Sequence, residues 1–212
     1  MQKIEIKVCG LTSVDQINEL TDVGVDYCGL IFYNKSPRCA DGKIDGKKLK
    51  DISIHSKLTG VFVNEEVERI KNKINEYGLS AVQLCGNETP DQCQQLKSFA
   101  RVIKVIPMDL IAPLSPVHEY QNKCDLLLFD TASKLHGGTG IKFNWNSIHG
   151  LKILQPFFLS GGIGPDDIQN VKRFNHKYFE GIDLNSRFEI APGVKDIEKI
   201  KKFLNELKYV QI

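Results

Sequence analysis

Apolar residues along this 212-residue chain fall into short, nearly unbroken runs, separated by stretches in which they recur every three or four positions. Short unbroken runs mark strands buried on both faces, and the three-to-four spacing marks one-sided helices. The pattern predicts strands over 4–9, 27–32, 58–63, 81–84, 102–106, 126–130, 157–160 and 179–184. Between them, Ser13 reads as the N-cap of a first helix, and Asn64-Glu65-Glu66 opens another running to about Tyr77. Thr89-Pro90-Asp91 and Gly164-Pro165-Asp166 each place proline at a first helical position. A last helix from Asp196 to about Lys208 puts Ile197, Ile200, Phe203, Leu204 and Leu207 on one face.

Strands alternating with helices, without a linker or a break in composition, predict one α/β domain over 1–212. Eight such units closing on themselves make a single (β/α)8 TIM barrel, and a doubly wound open sheet is the alternative. The longest irregular stretch, Thr131 to Phe143, follows the sixth strand and is glycine-rich enough to fold over a ligand.

Composition narrows the function. Lysine plus arginine number 28 and aspartate plus glutamate 26, a net charge of +2 with no clustered basic stripe, so nucleic acid is not the expected partner. The lysines of 41–51 and of "KDIEKIKKFL", starting at Lys195, read as solvated helix faces. No run approaches the ~18 apolar residues of a membrane helix, and the first residues lack the layout of a signal peptide. Six cysteines form no CxxC pair and no zinc-type spacing, which indicates a reduced, cytoplasmic protein without a metal site.

In a barrel the site is built from residues at the C-terminal ends of strands. Those positions hold Cys9, Arg38, Gln83 with Cys85, Asp130, Gly161-Gly162, and Asp183 with Asn185, Ser186 and Arg187. Cys9 ends the first strand in "KVCGLT", where a thiol either packs as a small hydrophobe or faces a ligand. Asp130 closes the apolar run "DLLLFD" well before the next helix, so N-capping explains it poorly. Gly161-Gly162, with Gly164-Pro165 opening a helix behind them, suit a phosphate cradle, and Asn185-Ser186 complete it. Arg38, in "KSPR", is an exposed turn residue unless the substrate carries an acidic group. Gln83 and Asp183 are the remaining candidates for substrate contact. Lys7 points into the barrel below Cys9, where it either forms a Schiff base or, the favoured reading, is neutralised by Glu5 or Asp183.

Together these motifs resemble the phosphoribosylanthranilate isomerase family. "KVCGLT", "GLIFYNKSPR", "GVFVNE", "VQLCG", "LLFDT" with "GGTGIKFNW", and "FLSGGI" are similar to its strand-end motifs, in order along nearly the whole chain. The resemblance implies an Amadori rearrangement of a phosphorylated small molecule, N-(5-phosphoribosyl)anthranilate, with no cofactor, in a monomer or homodimer. It implies Asp130 as general acid, Cys9 as general base, Arg38 facing the anthranilate carboxylate, and Gly161-Gly162 with Asn185-Ser186 holding phosphate. Two positions depart from the family. Cys85 replaces a histidine, and Arg187 stands at a glycine, where it either joins the phosphate cup or points to solvent or pairs with Glu189. The runners-up, another phosphosugar barrel isomerase or a non-catalytic phosphate sensor, account poorly for the Cys9 and Asp130 pair.

Overall fold

The computed structural model describes residues 3–50, 55–108, 117–131 and 142–208, and each apolar run predicted as a strand forms one. The strands are β1 (Glu5–Cys9), β2 (Tyr27–Ile31), β3 (Lys57–Phe62), β4 (Ala81–Leu84), β5 (Arg101–Met108), β6 (Leu126–Thr131), β7 (Phe157–Leu159) and β8 (Phe179–Leu184). They pair in parallel in chain order, and β8 returns to β1, so the sheet is a closed barrel. Around it lie α1 (Val14–Asp22), α2 (Gly46–Lys50), α3 (Val67–Tyr77), α4 (Pro90–Leu96), α5 (Val117–Tyr120), α6 (Ile168–Arg173) and α7 (Ile197–Lys208). Most of the stretch from Thr131 to Phe143 lies outside the described residues. Among the described residues no helix is long and apolar enough to cross a membrane.

Local chemistry sets the helix starts. The Ser13 hydroxyl accepts the Gln16 N–H, and Thr89 and Gln92 form a reciprocal capping box behind Pro90. The helix predicted from Asn64 begins later, at Val67. Asn64 stands instead at φ 51°, a left-handed conformation that asparagine tolerates. It gives its N–H to Glu88 and accepts that of Asn87, which ties the loops after β3 and β4 together.

Period-two alternation divides the core in two. Tyr27, Ala81, Ile103, Val105, Leu126, Leu128 and Phe158 fill the barrel interior, and a larger apolar layer lies between barrel and helices. The interior also holds Lys7, which stands opposite Asp183 in the β1–β8 register and donates to its Oδ1 at 2.9 Å. Of the two acids expected to neutralise Lys7, the structure selects Asp183. Glu5, one layer nearer the N-terminal end, pairs with Lys57 at 3.2 Å.

Beyond β8 a 3-10 turn, Ser186–Phe188, leads into a small antiparallel hairpin, β9 (Glu189–Ala191) and β10 (Val194–Lys195). This corrects the reading of Lys195 as part of a solvated helix face. Lys195 is only 2% exposed, because Pro192-Gly193 turns the chain and directs it inward.

Candidate active site

Cys9 is the last residue of β1 and is 4% exposed at the C-terminal mouth. Gly10 behind it has φ +81°, and a Cβ there would stand 2.8 Å from Arg38 Cδ and 3.1 Å from Asn185 Oδ1. Glycine is needed for the turn and for the approach of both side chains. Burial pushes the Cys9 thiol above its ordinary value, with Asp183 adding to the shift, whereas Lys7 and Lys195 pull it down.

Asp130 lies near the end of β6, separated from β1 by β7 and β8 around the ring. Burial, and secondarily the charge of Asp183, raises its carboxyl from 3.8 to about 6. The Thr131 N–H at 2.8 Å, Lys7 and the Ser160 hydroxyl limit the rise. The site therefore holds a carboxyl half-protonated near pH 6, separated around the ring from a thiol in contact with a buried ammonium.

Arg38 reaches the mouth from the loop after β2, but its guanidinium edge is already engaged. Nε and Nη2 grip Glu189 in a two-pronged pair, with Nη2 to Oε2 at 2.7 Å. Nη1 takes no part in that pair. Lys195 shares the same carboxylate at 2.7 Å and donates to Asn185 Oδ1 at 2.8 Å. Glu189 is held below its ordinary value, since the hydrogen bonds from Arg38 and Lys195 outweigh its burial. Neither Glu189 nor Lys195 is apparent as a site residue from the chain alone. The available signal is a Pro-Gly turn between two strand-like segments, which marks a hairpin.

Gln83 lies at the mouth on β4 and donates to Cys85 Sγ at 3.2 Å, while its buried Oε1 has no partner among the described residues. Asp183 is 6% exposed and its Oδ1 accepts from Lys7 at 2.9 Å beneath Cys9. Gly161 and Gly162 adopt φ +88° and +68°, and a Cβ on Gly161 would run into the Thr131 side chain. Behind them the turn opened by Pro165 is 3-10 rather than α-helical. Pro165–Asp167 form a 3-10 turn before α6, and Asp167, itself 3% exposed, takes the Gly164 N–H at 2.7 Å and the Lys142 ammonium at 2.7 Å. A carboxylate thus already occupies that positive end. Arg187 does not pair with Glu189. It lies over Gly164, whose missing Cβ leaves room for Nε, and faces Asp166 at 3.8 Å with a half-exposed side chain.

Among the described residues no group of histidine, cysteine and acid side chains is arranged to hold a metal. Fold and site together define a (β/α)8-barrel enzyme with acid–base chemistry at the C-terminal mouth. Residues 6–206 match the family model for N-(5'phosphoribosyl)anthranilate (PRA) isomerase, and the chain belongs to that family. The N-(5'-phosphoribosyl)anthranilate isomerase of Parabacteroides distasonis is 38% identical over 95% of this chain and 92% of its own length. The enzyme of the same name from Phocaeicola vulgatus is 39% identical over 96% and 97%. A solved phosphoribosyl anthranilate isomerase, in complex with reduced 1-(o-carboxyphenylamino)-1-deoxyribulose 5-phosphate, superposes with TM-score 0.76 at 25% identity, covering 98% of this chain and 100% of that one.

Proposed function

We propose that this chain isomerises N-(5-phosphoribosyl)anthranilate to 1-(2-carboxyphenylamino)-1-deoxyribulose 5-phosphate, with Asp130 as acid and Cys9 as base. Asp130 gives its proton to the furanose ring oxygen. The C1′–O bond breaks, that oxygen becomes a hydroxyl, and the nitrogen lone pair forms an iminium at C1′. Cys9, as thiolate, takes the C2′ proton, and the C–H electrons flow into the iminium to give an enaminol. A proton gained at C1′ and one lost from the 2′-hydroxyl complete the ketone. C1′ is reduced and C2′ oxidised within one molecule, so the electrons balance without a redox partner. The iminium is cationic and favours the thiolate at the step that uses it. Arg38 offers Nη1 to the anthranilate carboxylate. The loop at Gly161-Gly162, with Asn185, Ser186 and Arg187, holds the phosphate, and Gln83 Oε1 accepts from a substrate hydroxyl or N–H. The free cysteines suit a reducing cytoplasmic compartment.

The observation that carries this reading is the raised carboxyl of Asp130 at the end of β6, held protonated well above the range of an ordinary aspartate by burial and by the charge of Asp183. The test is a fluorescence assay for loss of phosphoribosylanthranilate, with substrate generated in situ. Turnover is expected, and a purified, folded chain that leaves the signal unchanged overturns the reading.

A further inference from the structure

We propose that buried Lys195, clamped by Glu189, is a positioning charge that holds Cys9 ready as thiolate. The proposal rests on the reading of Cys9 as the base. It begins from an imbalance of charge. Lys7 and Asp183 cancel as a pair beneath the thiol. Above it, Arg38 and Lys195 share a single carboxylate, Glu189, whose Oε1 also accepts the Gly193 N–H. These groups carry one positive charge in excess. Buried charges are normally matched, because an unmatched one loses its hydration without compensation. The excess is matched once an anion forms at the mouth, and Cys9 is the neutral acid placed to supply it.

The placement is built in by the hairpin. Thr12, in the loop after β1, donates to the Gly193 carbonyl at 2.7 Å, and Gln16 on α1 accepts the Lys195 N–H at 2.7 Å. Those bonds fasten β10 to the segment that follows Cys9. The Lys195 side chain, with no exposed surface, then reaches Asn185 Oδ1, the atom packed against Gly10. Other groups facing the thiol do not supply this charge. Cys85, after β4, is a neutral thiol, and Asp130 on β6 adds negative charge when ionised. The ammonium of Lys104 is matched by Glu88.

The test reads the thiol without turnover, so it stands apart from the isomerase assay. Unliganded enzyme is alkylated with iodoacetamide from pH 6.5 to 10.5, and modification of Cys9 is followed by peptide-resolved mass spectrometry. Lys195→Met is expected to move the midpoint upward and slow alkylation about tenfold at pH 7.5, the effect of about one pKa unit. Lys195→Arg, which keeps the charge, is expected to restore the wild-type profile. Glu189→Gln leaves both cations in place and is expected to move the midpoint the other way. A purely structural role for the hairpin does not produce opposite shifts. An unchanged midpoint in folded Lys195→Met overturns the proposal. Should that variant not fold, Glu189→Gln decides: a midpoint that falls supports the proposal, and one that stays or rises overturns it.

Discussion

Replacing Asp130 with asparagine should make the protein more stable and nearly inactive, and the gain in stability should grow with pH. The folded carboxyl titrates at about 6 against an ordinary 3.8. At about 1.4 kcal/mol per unit, that gap amounts to about 3 kcal/mol. Below pH 3.8 the group is protonated in both states and folding is not penalised. Between 3.8 and 6 the unfolded chain ionises first, so stability falls as pH rises. Above 6 the full penalty is present. The substituted asparagine carries none of it, and its carboxamide oxygen can still accept the Thr131 N–H. Integrated over the titration, the variant should be more stable by about 1 kcal/mol at pH 4.5 and about 3 kcal/mol at pH 8. Urea unfolding followed by the single tryptophan, Trp145, measures both values. In the same variant kcat should fall at least ~10²-fold. A stability difference that does not grow with pH, or a variant less stable than the parent at pH 8, would refute the reasoning. The exchange has a purpose. At pH 7 an aspartate titrating at 3.8 is protonated in roughly one molecule in a thousand, and one at about 6 in roughly one in ten. On the proposed reading, the desolvation that costs stability also supplies the acid.

Cys9→Ala should lose at least ~10²-fold in kcat with the fold intact, and near-normal turnover under chemistry-limited conditions would remove Cys9 as the base. Lys7→Met should cost about 3–5 kcal/mol, because it strands the Asp183 carboxylate in the barrel. Adding Asp183→Asn should recover part of that loss, and urea curves showing no recovery would mean that the two residues do not act as a pair. Arg187→Ala should raise KM for the phosphorylated substrate with kcat little changed, and should flatten the salt dependence of KM, since a half-exposed charge is screened. A KM equal to the parent's at low and high ionic strength would leave Arg187 as a surface residue.

The strands are legible in the chain because parallel strands covered on both sides contain little but apolar residues. Asp130 stands out for the same reason, as an acid closing such a run with no nearby helix to cap. What the chain does not reveal is decided by tertiary partners. Arg38 finds Glu189 at a separation of 151 residues, which no local pattern encodes. Lys195 belongs in sequence to a lysine-rich amphipathic helix, and only the Pro192-Gly193 turn separates it from that surface. Asp167 looks like an ordinary first-turn acid, yet its carboxylate folds back onto the Gly164 N–H, a link that only the three-dimensional turn makes visible.

Cys85 shows why the polarity of the mouth is lopsided. A histidine there could carry a positive charge near neutral pH. A thiol has no cationic form, and burial, which pushes Cys85 up to about 12, keeps it from becoming an anion as well. On the proposed reading, charge that favours the Cys9 thiolate comes from the other side of the barrel, from Lys7 on β1, Lys195 on β10 and Arg38 after β2. Each of these is held beside the thiol by a carboxylate on β8 or the hairpin beyond it, Asp183 for Lys7 and Glu189 for the other two. The segment from β8 to β10 thus carries the carboxylates that match the cations beside Cys9, while Asp130 is raised by burial and by Asp183 and restrained by Thr131, Lys7 and Ser160. Lys7 and Asp183 act on both groups, Asp183 raising and Lys7 lowering each, so that a change in this buried pair shifts Cys9 and Asp130 together.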